Sequence, residues 1–301
     1  MDGVLVIDKP AGPTSHDVVA RLRRVLGERR IGHTGTLDPA ATGVLPMVIG
    51  RATRLARFLS ASDKSYEATI TLGVSTTTGD AAGARTGAQY GGPFPSRDAI
   101  DRALDVFRGS FLQQPPAFSA KRVAGTRSYR LARAGTAAAV LPAPVTVTAH
   151  AIEILEAMDD RLRLRIDCSS GFYVRALAQD LGQGLSVGAH LVALRRTRVA
   201  GFGLEMALTL DAAEREPGLA AGQTIQLGRL LSEVPSVVLT TEGVRHAAQG
   251  RDLTRDDAVG ELPAGCARDG IVRLLTVTGD LVGIAEPTAV PGFLHPSIVL
   301  I

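Results

Sequence analysis

Two stretches of strict alternation constrain this chain more than any other feature of it. Tyr66, Ala68, Ile70, Leu72 and Val74 alternate with Glu67, Thr69, Thr71 and Gly73, while Leu162, Leu164, Ile166 and Cys168 alternate with Arg161, Arg163, Arg165 and Asp167. Successive strand side chains point to opposite faces, so a period of two demands strands with one apolar and one polar side. Such half-wet sheets are usually antiparallel. The β-branched run Val145 to Leu155 predicts a further strand, and the short apolar runs Val4 to Ile7 and Val44 to Ile49 predict buried ones. Helical signals lie between them. Thr14 or Ser15 caps a segment whose Val18, Val19, Leu22, Val25 and Leu26 share one face, and Ser96 caps another through Ile100, Leu104 and Phe107 that Gly109 stops. Arg51 to Leu59 and Phe172 to Leu181 are also helical in pattern. Arg30 to Gly43 reads as a loop and Thr76 to Pro95 as a polar, glycine-rich, mobile excursion. Strands and helices mixed without βαβ spacing predict an α+β fold with a mixed, largely antiparallel sheet rather than a Rossmann-type one.

A chain of 301 residues accommodates one large domain and a smaller companion. A helix-like stretch ending at Leu230-Leu231 meets Val234-Pro235-Ser236, which places a boundary there and divides the chain into 1–232 and 233–301. The second part is read as a small β-rich module. It holds a helix around Glu242 to Gln249, a polar loop to Gly270, and a hairpin of Val272 to Val277 and Leu281 to Ala285 turned at Gly279-Asp280.

Composition removes several functions. Apolar residues make up 45% and charged residues 21%, a globular balance. The longest apolar runs fall far short of the ~20 residues that cross a bilayer. Met1 to Pro10 carries no basic n-region and no small-residue cleavage site, which predicts a cytoplasmic protein. Cys168 and Cys266 are distant and form no CxxC, so a disulfide framework and a zinc knuckle are unsupported. No GxxxxGK occurs, the third glycine after Gly201-Phe202-Gly203 is missing, and the histidines form no HxxxH or HExxH pair. Gly184 to Gly188 matches GxSxG, but a helical pattern precedes it where a nucleophile elbow needs a strand. The expectation is a reaction without metal or other cofactor.

Net charge is only +3, yet its distribution is uneven. Eight arginines lie between Arg21 and Arg57 against Glu28 and Asp38, and Lys121 to Arg133 carries five basic residues and no acid. Both are candidate phosphate-contacting surfaces. The segment Gly32-His33-Thr34-Gly35-Thr36-Leu37-Asp38-Pro39-Ala40-Ala41-Thr42-Gly43 places one carboxylate among hydroxyls and backbone donors, with glycines permitting tight turns and Pro39 stiffening the backbone after Asp38. A loop of this kind can present one acid in a fixed orientation. On loop chemistry alone, Asp38 also fits a structural turn as an Asx-type or capping residue.

Six motifs in order then mark a resemblance. Lys9-Pro10 with Gly12 and Ser15, Gly32 to Gly43, Asp63 to Ala68, Gln114-Pro115-Pro116 with Phe118 to Lys121, Cys168-Ser169 with Gly171 and Tyr173-Val174-Arg175, and Gly188 to Leu191 with Leu194 to Thr197 closely resemble the TruB family of tRNA pseudouridine synthases. They span residues 1 to about 200. The resemblance implies isomerisation of uridine 55 in the T-loop of elongator tRNAs to pseudouridine, with no metal, nucleotide or redox cofactor. It implies that Asp38 is the catalytic carboxylate, that Tyr66 contacts the flipped uracil and helps move its C5 proton, and that Arg175 pairs with Asp38. Tyr173 and Leu194 are implied to line the base pocket, His33 to reach into the T-loop, and Lys9 with Pro10 to support the loop on the substrate-binding side.

Read without the resemblance, Tyr66 and Leu194 are ordinary core residues and Tyr173 a helix-cap contact. With it, Arg21 to Arg30, Lys121 to Arg133 and Arg195 to Arg198 become the expected track for the tRNA backbone. The sequence departs from the family pattern at Phe172, where a smaller polar residue is common, and at Ser170, where a lysine is common, which points to a slightly different pocket shape. The tail is expected to be a PUA-like RNA-binding module by position, length and β-rich pattern. A monomer acting on tRNA, with no membrane partner, is the expectation. Its rivals are an RNA chaperone that only unfolds and refolds the T-loop, and a carboxylate-dependent nucleoside hydrolase.

Overall fold

The fold is known from a computed structural model, which describes residues 1–117, 122–123, 126–127, 142–260 and 270–301. The motif residues Phe118 to Lys121, the side chains of the basic run to Arg133, and Cys266 lie outside the described residues.

The chain opens with β1 (Gly3–Lys9) and α1 (Ser15–Leu26). Thr14 caps α1 by a reciprocal box, its Oγ1 accepting from the Asp17 amide while the Asp17 carboxylate accepts from the Thr14 amide, and Gly27 ends the helix in the left-handed region. The stretch read as a single loop from Arg30 to Gly43 is shorter. Ile31–His33 forms β2 and pairs with β3 (Thr42–Ile49), so the irregular backbone is confined to 34–41. A 3₁₀ turn at Gly50–Leu55 and the short α2 (Ala56–Ser60) lead into β4 (Lys64–Leu72). The Thr76–Pro95 excursion also carries structure. Its β5 (Ser75–Thr76) and β6 (Arg85–Thr86) pair, and Asp80 bridges to Leu191, tying the segment to the sheet.

Helix α3 (Arg97–Leu104) precedes β7 (Gly109–Gln113), and β8 (Arg122–Val123) pairs with β9 (Thr126–Arg127). The long hairpin β10 (Val145–Met158) and β11 (Arg161–Cys168) is followed by α4 (Val174–Gly184) and β12 (Ala189–Val199). Short strands β13 (Phe202–Gly203), β14 (Leu208–Thr209) and β15 (Ile225–Gln226) enclose α5 (Leu210–Arg215) and α6 (Pro217–Gly222). The helix expected up to Leu231 is only a 3₁₀ turn at Leu227–Arg229. The remaining elements are β16 (Ser236–Val238), α7 (Thr241–Ala248), β17 (Val272–Leu275), β18 (Leu281–Pro287) and β19 (Leu294–Val299).

Among the described residues the main sheet runs β14-β1-β3-β12-β4-β11-β10-β7. Only β1 with β14 and β3 with β12 are parallel within it, so the α+β, largely antiparallel expectation holds. Alternation on β4 and β11 buries Ile70 beside Leu162, Ala68 beside Leu164 and Tyr66 beside Ile166, and this face packs under α3 and α4. Strands β1 and β3 are apolar without alternation because both of their faces are covered. Leu5, Ile7, Leu45 and Met47 meet α1, whereas Val4, Val6, Val44 and Val48 share a core with Leu281 and Ile284 of β18 and with Leu300, just past β19. That second, four-stranded sheet, β16-β17-β18-β19, is thus joined to the first by an apolar seam.

The seam corrects one charge assignment. Arg51 donates to the Leu300 carbonyl and pairs with Asp2 at 2.9 Å, Arg54 donates to the Val299 carbonyl, and Arg57 lies 3.2 Å from Glu286. These three arginines clamp the last strand and its neighbour and are not a free phosphate surface. Arg24 and Arg29, by contrast, remain exposed, while Arg21 faces Glu214 at 3.7 Å.

Candidate active site

Asp38 sits on a loop fixed from several directions. Ser15, in the first turn of α1 and 1% exposed, takes a hydrogen bond from the Leu37 amide at 2.9 Å and donates to the Leu37 carbonyl at 3.2 Å. The Pro39 carbonyl accepts from the Gly12 amide at 2.9 Å and from Lys9 Nζ at 3.1 Å. Leu37 itself is buried against α1. The carboxylate between these anchors therefore has little backbone freedom, which favours a fixed presentation over a merely capping role.

Arg175, in the first turn of α4, meets it. Its Nε lies 3.0 Å from Asp38 Oδ2, and its side chain is only 7% exposed. Nη1 lies 3.5 Å from Asp80 Oδ2 and donates to the Thr78 carbonyl at 3.2 Å. One guanidinium therefore bridges two carboxylates. Loss of water pushes the Asp38 carboxyl above its ordinary value; Arg175 opposes this, Asp80 reinforces it and Lys9 opposes it more weakly. Asp80 and Thr78 come from the excursion that carries no periodic signal, and nothing in their local sequence marks them.

A cavity of about 260 Å³ opens in front of the pair. Asp38, Tyr66, Tyr173, Arg175 and Leu194, five of the residues singled out from sequence, line it together, joined by Lys64, Phe172 and Arg196. Tyr66 is 8% exposed, and burial pushes its phenol upward. Tyr173 immediately precedes α4 and is held by its backbone: Gln113 on β7 donates to its carbonyl at 3.0 Å and accepts from its amide at 2.8 Å. Gln113, 1% exposed, is a positioning residue that sequence reasoning missed, since a glutamine at a strand end has no distinctive pattern.

Two predicted residues stand elsewhere. Lys9 is fully buried behind the loop, bonded to the Pro10 and Pro39 carbonyls, and is not part of the cavity lining; burial lowers its ammonium to about 8. Its ammonium braces the loop through those carbonyls. His33, on β2, lies outside the lining and meets His16 edge-on at 5.4 Å. Of the departures from the family pattern, Ser170 and Phe172 both border the cavity, and Phe172 packs edge-on against Phe111 at 6.1 Å, so its ring serves the wall and the core together.

Within the Arg195 to Arg198 segment, Arg196 is corrected as well. Arg196 is 1% exposed and cannot meet a phosphate; Arg195 is paired with Asp8 at 2.7 Å and Arg198 with Asp167 at 3.6 Å. Among the described residues no cluster of three or more His, Cys, Asp or Glu is placed to hold a metal ion. Among the same residues no helix is long and apolar enough to cross a membrane.

Residues 23–174 match the TruB family pseudouridylate synthase N-terminal domain, and residues 175–234 match the tRNA pseudouridylate synthase B C-terminal domain. The chain is 43% identical to tRNA pseudouridine synthase B of Solibacter usitatus over 305 residues, covering 100% of both chains. It is 41% identical to the protein of that name from Mycobacterium tuberculosis over 302 residues, covering 98% of each. Among solved structures it resembles a chain of an H/ACA RNP bound to a substrate RNA containing 2′-deoxyuridine, with a TM-score of 0.73, 26% identity, and coverage of 99% of this chain and 85% of the other. An archaeal box H/ACA sRNP Nop10-Cbf5 complex gives 0.71 and 26%, covering 99% and 86%.

Proposed function

From its membership of the TruB family of pseudouridylate synthases, we propose that this chain converts uridine 55 in the T-loop of elongator tRNAs to pseudouridine, with Asp38 as the catalytic carboxylate and no cofactor. The observation that carries the reading is the 3.0 Å pairing of Arg175 with Asp38 at the edge of a cavity also lined by Tyr66, Tyr173 and Leu194.

The isomerisation breaks the N1–C1′ bond, makes a C5–C1′ bond, removes the C5 proton and delivers one to N1. Atoms and electrons balance without an external oxidant or reductant. A stacked nucleotide hides these atoms, so the uridine is extruded into the cavity, which is too small for a paired helix. Arg175 keeps Asp38 charged and oriented there. A carboxylate so placed can add to C1′ of the ribose or C6 of the base, or take the C2′ proton. Tyr66 and Leu194 offer an apolar seat for the uracil, and the Tyr66 hydroxyl is the group that helps move the C5 proton.

Outside the cavity, His33 is assigned to holding the T-loop open, and exposed arginines of α1 to tracking the backbone. Residues 1–232 are assigned as the catalytic domain and 233–301 as a PUA-like RNA-binding module. The protein is read as a cytoplasmic monomer with tRNA as its partner. Release of tritium from 5-³H-uridine tRNA tests the position: we expect release from a transcript with uridine at 55 and none when that base is replaced by cytidine. Release from both overturns the site assignment, and tight tRNA binding without release supports the chaperone reading.

A further inference from the structure

Arg196 belongs to no step described above. Its strand, β12, lies between β3 and β4, and Arg196 is in register with Gly43 on one side and with Tyr66 on the other. Its side chain is among the largest that are fully buried, at 1% exposure. A buried cation is expensive unless its donors are met. Nε donates to the Val44 carbonyl at 2.7 Å, Nη2 to the Gly35 carbonyl at 3.0 Å, and Nη1 lies 3.5 Å from the Thr36 carbonyl, two residues before Asp38. Tyr66 is its cross-strand neighbour on β4, and the guanidinium charge opposes the burial-driven rise of the phenol.

Guanidinium has donors and no acceptor, so a hydrogen bond between the two side chains has one polarity: Arg196 gives and the phenol oxygen receives. Such a bond leaves the hydroxyl hydrogen free to point into the cavity that both residues line. We propose that Arg196 is a positioning residue that aims the Tyr66 hydroxyl into the cavity and, through the Gly35 and Thr36 carbonyls, holds it in fixed relation to the Asp38 loop. Arg196 forms and breaks no bond in the reaction. Lysine cannot substitute, because one ammonium cannot reach three divergent carbonyls and a phenol.

The proposal rests on the functional reading above, so wild-type conversion of tRNA is measured first. Single-turnover rates at saturating tRNA are then compared for wild type, Tyr66→Phe, Arg196→Lys and the double variant. If Arg196 acts through the hydroxyl, Arg196→Lys lowers the rate at least ~30-fold with under ~3-fold change in tRNA affinity. Tyr66→Phe, which slows wild type ~10-fold or more, then slows Arg196→Lys by under ~3-fold. Equal losses in both backgrounds overturn the assignment and leave Arg196 a loop brace. A second measurement needs no Arg196 variant: side-chain ¹⁵N signals of the solvent-shielded guanidinium should shift in Tyr66→Phe, and an unmoved spectrum also overturns it. Lack of product from wild type overturns the functional reading instead, and the spectral arm still decides whether Arg196 holds Tyr66.

Discussion

Gly43→Ala should damage the joint beneath the catalytic loop more than its size suggests. Gly43 has φ +102°, and a Cβ there would stand 2.1 Å from the Arg196 carbonyl oxygen, 2.8 Å from its nitrogen and 2.9 Å from its carbon. All three atoms are backbone of the paired strand, so no rotamer can move away. An alanine at this φ carries about 1–3 kcal/mol of strain. Relief of the 2.1 Å contact parts β3 from β12 by roughly an ångström on contact distances. Parting them disturbs the register at Thr42–Arg195 and Gly43–Arg196 and stretches the bond from Arg196 to Val44. Each hydrogen bond lost contributes about 1 kcal/mol. The expected loss is therefore about 2–5 kcal/mol, near the top of the range for one methyl group. Urea denaturation should show the midpoint falling with an unchanged slope. Turnover should fall as well at temperatures where the variant is folded, because Lys9 and Arg196 flank Gly43 in register and both hold loop carbonyls. A stability change under about 0.5 kcal/mol would mean that the β3–β12 contact yields to a methyl group and that the loop above it is not rigidly held.

Other expectations arise from the same geometry. Arg175→Met removes the cation that opposes the burial-driven rise of the Asp38 carboxyl, so that carboxyl titrates higher still. Activity that needs the carboxylate is lost as pH falls through its pKa, so the acid limb of the rate profile should move to higher pH; an unmoved limb refutes the pairing. Gln113→Ala leaves the Tyr173 amide and carbonyl without their bracket. It should cost about 1–3 kcal/mol of stability and weaken tRNA use, read by denaturation and by KM, and full retention of both would contradict its positioning role. Binding to tRNA should weaken steeply as salt rises, and an affinity that does not change between low and physiological salt would exclude a phosphate-tracking surface.

Much of this arrangement is legible in the sequence because local physics and fold agree. The alternation at Tyr66–Leu72 and Leu162–Cys168 survives as paired strands because each has one covered and one wetter face. The Thr14 cap is equally plain. The hidden part depends on register. Strand β12, central in the sheet, carries irregularities at Leu191/Ala193 and Arg196/Arg198 that break its period of two, so its arginines look like surface charge. Arg196 is instead the buried tie between Tyr66 and the Asp38 loop. Asp80 is invisible for another reason: its hairpin has two-residue strands, and only the tertiary bridge to Leu191 brings it to Arg175. Arg51, Arg54 and Arg57 belong in the sequence to an arginine-rich stretch that resembles a phosphate-contacting surface, and only the C-terminal strand lying against them reveals their structural role.

Pseudouridine mapping of an unmodified tRNA transcript after incubation with wild type and with Asp38→Asn, with no metal or nucleotide added, decides whether Asp38 carries the reaction. Asn keeps the side chain's shape and removes its charge. Conversion confined to the T-loop uridine is expected from wild type, and none from Asp38→Asn at equal tRNA binding. Conversion by Asp38→Asn at the wild-type rate, or binding without conversion by both, would contradict that role.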